Sequence, residues 1–154
     1  IKIWHLEGGA FANILIVGTV TAVISMYPIS LLSTKVGRKR SILYGVLMLI
    51  FAYAGTSLFF DYSPVIYFFF IVLGIGWAAI NVNSYPMVVE LCKGSEIGKF
   101  TGLYYSFSMA GQILTPILSG FLMEKVSYLT LFPYAAMCSL LALFTMSRVR
   151  HGDA

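Results

Sequence analysis

Charged residues divide this chain into long uncharged stretches. Gly8–Thr34 runs for 27 residues without Asp, Glu, Lys or Arg, Ser41–Phe60 for 20 and Tyr62–Val89 for 28. Phe100–Met123 adds 24 such residues and Val126–Ser147 another 22. An α-helix rises 1.5 Å per residue, so about 20 apolar residues cross a hydrocarbon layer of roughly 30 Å. The pattern predicts five transmembrane helices, at residues 10–32, 41–60, 64–89, 100–123 and 128–147. Inside hydrocarbon every backbone N–H and C=O must be paired within the protein, which leaves helices or closed barrels. Barrel strands alternate apolar and polar positions, and the continuous run Val65–Leu73 does not alternate. The expected fold is an all-α membrane protein, with residues 1–154 as a single membrane-embedded helical domain fragment.

Polar punctuation supports these boundaries. Asp61–Tyr62–Ser63–Pro64 reads as a tight turn, because proline is tolerated where a helix starts. Lys93–Lys99 reads as a polar loop with two glycines, and Glu124–Ser127 as a short connector. The chain begins with Ile1 and not Met, residues 1–10 resemble an outside loop more than a signal sequence, and five helices is an odd share of a repeat-built fold. We therefore expect further helices of the same protein to precede these five.

Composition then rules out two other classes. With 59% hydrophobic and 10% charged residues and a mean hydropathy of +0.88, the chain could neither cover a soluble globule nor remain disordered. The net charge of +4 would suit nucleic acid, but its placement points elsewhere. Alternating crossings put Lys35, Arg38, Lys39, Arg40, Lys93, Lys99, Arg148 and Arg150 on one side, against Lys2 and Lys125 on the other. Short cytoplasmic loops carry the positive excess, so the C-terminus is expected in the cytoplasm and residues 1–10 outside. The basic residues report topology, and no nucleic-acid partner is expected.

Enzymatic and metal sites find no support. Gly74–Ile75–Gly76–Trp77–Ala78–Ala79 fits G-x-G-x-x-A, but it lies mid-membrane with no strand before it, so a dinucleotide site is not credible. His5 and His151 fall at opposite ends, Cys92 and Cys138 lack CxxC spacing, and no Ser/His/Asp or Cys/His arrangement is available. No cofactor, metal or catalytic residue is expected.

The loop Ser33–Thr34–Lys35–Val36–Gly37–Arg38–Lys39–Arg40 resembles the signature G-x-x-x-D-[RK]-x-G-R-[RK] of the major facilitator superfamily. The match covers Lys35, Gly37, Arg38 and Lys39; Ser30 stands where the family has glycine and Thr34 where it has aspartate. Any basic cytoplasmic loop offers the competing explanation. Four hydrophobic segments and a basic tail follow the loop, as they would after the eighth helix of a twelve-helix facilitator. The resemblance then spans the chain as the last five helices. Gly102–Leu103–Tyr104 through Gln112–Ile113 to Ser119–Gly120, with Asn83–Ser84–Tyr85–Pro86, is similar to sucrose and other glycoside:cation symporters.

Polar residues in membrane helices face the bundle or a water-filled cavity. Trp77, Asn81 and Tyr85 recur at i, i+4 and i+8, hence on one face; Tyr105, Ser108, Gln112, Thr115 and Ser119 form a polar stripe. Gln112 falls mid-gap, near the midplane where transporter sites lie. Asn13, Thr21 and Ser25 are looser candidates. The resemblance implies that the first, third and fourth segments line the cavity. Amides and hydroxyls there would bind the hydroxyls of a small, sugar-like substrate, and aromatic faces its C–H surface. Helix–helix hydrogen bonding and interfacial tyrosines are the competing uses. Gly111, Thr115 and Ser119, like Gly102, Ser106 and Ala110, have the small-xxx-small spacing of close helix packing. Pro116 is expected to kink its helix.

Together these features suggest part of a secondary transporter in the plasma membrane that works by alternating access, with H+ or Na+ as the coupling ion. The rival is a non-transporting membrane subunit or channel-like bundle. Because no Asp, Glu, Lys, Arg or His lies inside the five uncharged stretches, any coupling carboxylate would belong to the preceding helices. Glu90 is expected to pair with Arg38 as a cytoplasmic latch, the alternatives being Lys93, Lys99 or water.

Overall fold

A computed structural model describes residues 9–92 and 94–150. Lys2, His5, Lys93 and His151, which entered the sequence reading, lie outside the described residues. Five helices follow in order: α1 (Ala10–Val36), α2 (Arg38–Ser57), α3 (Val65–Glu90), α4 (Ile97–Lys125) and α5 (Leu131–Ser147). Single 3₁₀ turns, Gly94–Glu96 and Tyr128–Thr130, precede α4 and α5. All five helical segments are long and apolar enough to cross a membrane, and no strand occurs among the described residues.

The connections are shorter than the charge pattern implies. Helices continue until backbone geometry stops them, and a charged side chain at the membrane edge does not. The basic loop Lys35–Arg40 contracts to one residue, Gly37, at φ 96° and ψ 145°. Its N–H bonds the Ser33 carbonyl at 3.0 Å and its carbonyl accepts from the Ser41 N–H at 3.1 Å. A side chain at that φ would be strained, so Gly37 lets one helix end and the next begin at once. Lys35 thereby occupies the last turn of α1, and Arg38, Lys39 and Arg40 the first turn of α2. Likewise Gly98 and Lys99 fall inside α4, not in the loop expected at Lys93–Lys99, and α4 continues through Glu124 and Lys125.

Helix α3 lies between α1 and α2, α5 packs on α2, and α4 meets α3 more loosely. Ile14 of α1 packs with Ile66 and Phe70 of α3, surrounded by Phe59, Tyr67 and Phe132. Ile42 and Val46 of α2 pack with Met87 of α3, and Leu143, Met146 and Val149 close around them. Between these clusters the helices touch through glycine. A Cβ on Gly74 would collide with the Gly18 carbonyl and come 3.1 Å from the Ala22 nitrogen of α1. A Cβ on Gly76 would sit 2.7 Å from the Gly45 carbonyl of α2, and one on Gly45 equally close to the Gly76 carbonyl. The G-x-G run of α3 is thus a packing element, with one glycine for each neighbouring helix.

The small-residue spacing of α4 does not pack in this way. A Cβ at Gly102, Gly111 or Gly120 would meet nothing within 4 Å, and α4 has no buried residue. Spacing shows that close approach is possible, but a second helix must be present to use it. Helix α4 is continuous through Pro116.

Candidate functional site

The polar positions of α3 fall on two faces. Trp77 and Asn81 are exposed and Tyr85 is partly covered. Gly76, Ala79, Asn83 and Met87 are buried on the other side, the side whose glycine meets α2. The Trp77 indole is 46% exposed and borders a groove of about 460 Å³ shared with Gly18, Ala22, Val23 and Met26 of α1. The Asn81 amide donates to the Trp77 carbonyl at 3.0 Å. That bond leaves the Asn81 carbonyl oxygen and its second N–H open on the exposed face.

Tyr85 joins α3 to α4. Its hydroxyl lies 3.3 Å from the Thr101 hydroxyl, and its ring centroid is 5.6 Å from Tyr104 and 5.9 Å from Tyr105. Tyr104 and Tyr105 meet edge to face at 5.3 Å. These are the tilted and T-shaped contacts that ring quadrupoles favour. Thr101 and Tyr104 were not among the sequence-derived site residues. Their sequence signal was slight: Thr101 stands one turn before Tyr105, and Tyr104 is its immediate neighbour.

Further along α4 Gln112 and Thr115 are exposed, with Ser108 and Ser119 half-buried. Gln112 donates to the Ser108 hydroxyl at 3.4 Å, and Ser119 bonds the Pro116 carbonyl at 3.3 Å. Proline has no N–H, so Pro116 cannot bond the carbonyl four residues earlier, that of Gln112. The main-chain carbonyl of Gln112 therefore lacks its ordinary helical partner at mid-span, beside the exposed side-chain amide. The structure brings Tyr85 and Tyr105 together. Asn81 and Gln112 each bond within their own helix and not to each other.

Arg38 and Glu90 meet where α2 starts and α3 ends, with Arg38 Nε 2.6 Å from Glu90 Oε1. Their side chains remain 32% and 42% exposed, so the pair is partly hydrated. Lys35 and Lys39 make no ion pair among the described residues.

These pieces, an exposed amide and aromatic face plus a basic helix junction, stand on a chain whose residues 2–153 match the family model of the Major Facilitator Superfamily. The chain belongs to the major facilitator superfamily. It is therefore an integral membrane protein of a family of transporters. A similar protein is the MFS-type efflux transporter pyiT of Pyricularia grisea, 30% identical over 77 residues. That stretch covers 47% of this chain and 13% of the relative, so the facilitator chain spans a small part of the relative it matches. No solved structure matches it.

One residue of this facilitator chain escaped the periodicity argument. Asn83 is fully buried; its amide donates to the Ala79 carbonyl at 2.8 Å, while its Oδ1 has no partner. It lies two residues from Asn81, hence on the opposite side of the helix. An unpaired buried acceptor costs about 1–3 kcal/mol. Asn83→Val is accordingly expected to keep or raise the melting temperature of the purified protein. A clear fall would mean that Oδ1 is bonded in the working molecule, by water or by a helix beyond this chain.

Proposed function

We propose that this protein carries a small, polar, sugar-like solute across the plasma membrane by alternating access, driven by an H+ or Na+ gradient. The carrying observation is Gln112: an exposed amide at mid-span, beside a carbonyl that Pro116 cannot bond, on the helix that brings Tyr105 to Tyr85 of α3. Amides match the donors and acceptors of hydroxyl groups, and the faces of Trp77, Tyr85 and Tyr105 match the C–H side of a sugar ring. Ser108 and Thr115 continue the same stripe. In this reading helices of the same protein beyond this chain close the other side of the cavity and hold the coupling carboxylate. In the same reading the basic helix ends and the C-terminus face the cytoplasm, which the positive excess there supports.

Gln112→Ala in the intact protein is expected to lower uptake of labelled sugar into vesicles by at least about tenfold at unchanged expression. A hydrogen bond lost from a paired site costs about 1–3 kcal/mol. Wild-type uptake in that variant would return Gln112 to a packing role. Uptake indifferent to imposed proton and sodium gradients would remove ion coupling.

A second reading, export of a more apolar solute, is supported by the α1–α3 groove. Its one lining hydroxyl, Thr19, is bonded to the Leu15 carbonyl at 2.9 Å, and the pyiT relative is named an efflux transporter. Extrusion of an amphipathic dye from loaded vesicles, without sugar uptake, would favour it.

A further inference from the structure

We propose that α3 has two states: continuous in this structure, it breaks before Asn83 in the other, and Asn83 then caps a short helix that starts at Ser84. The sequence across the break is that of a helix start. Asparagine is among the best N-cap residues, because its side-chain oxygen accepts from the N–H two or three positions on. Proline is tolerated in a first helical turn, where its missing N–H has no intrahelical partner to lose. In Asn83–Ser84–Tyr85–Pro86 the third position after the cap is the proline, so the cap oxygen would take the Tyr85 N–H. Yet α3 runs unbroken from Val65 to Glu90, and these residues occupy a helix interior.

Neither residue suits that interior. Asn83 is fully buried, its amide donates to the Ala79 carbonyl at 2.8 Å, and its Oδ1 has no partner. Pro86 offers no N–H to the Val82 carbonyl. A break before Asn83 gives Oδ1 its donor and makes the proline costless. The same stretch is already loosened by its own side chains. The Asn81 amide donates to the Trp77 carbonyl at 3.0 Å and the Ser84 hydroxyl to the Ile80 carbonyl at 2.6 Å. Side chains bonded to a carbonyl four residues back compete with the helical ladder and bend it. Opening the ladder here parts the bonds of the Asn83, Ser84 and Tyr85 N–H groups, Pro86 has none to part, and the cap recovers that of Tyr85.

The packing fixes α3 on both sides of this point. Before it, Gly74 and Gly76 lie against the backbones of α1 and α2. After it, the Tyr85 hydroxyl lies 3.3 Å from that of Thr101 on α4, and Glu90 is held by Arg38 of α2. When the ion pair opens, residues 84–90 keep their tie to α4 and can turn with it, while the glycine contacts hold the rest of α3 in place. Met87, which packs on Ile42 and Val46, is unbranched and flexible, a side chain that adapts to a moved backbone.

The test is hydrogen–deuterium exchange of the intact protein in lipid nanodiscs, read on α3 by mass spectrometry and divided by intrinsic rates. The amides of positions 83 and 84, which the break leaves unpaired, are expected to exchange at least about tenfold faster than those of residues 70–77. Asn83→Ala removes the unpartnered amide and the cap together and should slow positions 83 and 84 by at least about fivefold. Asn83→Ser also removes the amide but keeps a good cap, so it should exchange at least about threefold faster than Asn83→Ala. Pro86→Ala gives the Val82 carbonyl a donor and should slow the same positions. Exchange at positions 83 and 84 no faster than at residues 70–77 would overturn the proposal, with no variant needed. So would equal exchange in the alanine and serine variants, the result expected if the helix end merely frays, or unchanged exchange in Pro86→Ala. The inference concerns the helix and not the solute. Exchange in the expected order without sugar uptake removes the proposed function alone, and sugar uptake with α3 uniformly protected removes the break alone.

Discussion

Gly74→Ala is expected to lower the apparent melting temperature of the purified protein by roughly 5–10 °C, and Gly74→Leu to abolish recovery of folded protein. The added Cβ of alanine would fall on the Gly18 carbonyl, which belongs to a hydrogen-bonded backbone and cannot rotate aside. Helices α1 and α3 would have to separate, opening gaps around Ile14 and Phe70. Overpacking of this kind costs about 1–3 kcal/mol, and 1 kcal/mol moves the midpoint of a chain this size by about 2–4 °C. Leucine adds a branched side chain at the same point, beyond what a small shift can absorb. Gly98→Ala is the matched control. Nothing lies within 4 Å of its new Cβ, and alanine is the better helix former by about 1 kcal/mol. The control should hold or gain stability. Equal melting temperatures for the two alanine variants would refute the close-contact account of the α1–α3 interface.

The second large effect is expected on transport and not on stability. Arg38→Glu or Glu90→Arg alone should reduce transport by about tenfold, while the double exchange recovers a substantial part. The 2.6 Å contact ties the first turn of α2 to the last residue of α3. Both side chains are about one-third or more exposed, and hydrated pairs contribute only about 0–1 kcal/mol to folding. Melting temperatures of the single variants should therefore move by a few degrees at most. A conformational equilibrium is more sensitive, because tenfold in population is only about 1.4 kcal/mol. The proposed role is a latch: it holds the basic start of α2 and the acidic end of α3 together in one state and releases them in the other. Like charges at this junction would bias the protein toward the released state. If the double exchange recovers nothing, the contact is not the switch, and the arginine acts through some other partner.

Much of the architecture was legible in the sequence because membrane helices obey a length rule that composition alone expresses. Five uncharged gaps gave five helices, and the loop expected between the first two contracts to Gly37 at positive φ. The loop residues Lys35, Gly37, Arg38 and Lys39 pointed to the family that the match over residues 2–153 establishes. The spacing of Trp77, Asn81 and Tyr85 placed them on one face, since helical periodicity is a local property.

What the sequence could not decide was which faces meet. Closely spaced small residues occur on α3 and on α4 alike. Only the packed structure shows Gly74 and Gly76 pressed against α1 and α2, while a Cβ at Gly102 or Gly111 would meet nothing within 4 Å. The difference lies in the presence of a partner helix, which is not a property of the segment itself. The same holds for Asn83, whose burial depends on α3 lying between two neighbours. It holds also for Tyr85, which needed Thr101 and Tyr104 brought to it from α4. Local hydrogen bonding and hydrophobic length determined the helices; the choice among their faces required van der Waals contact between segments far apart in the chain.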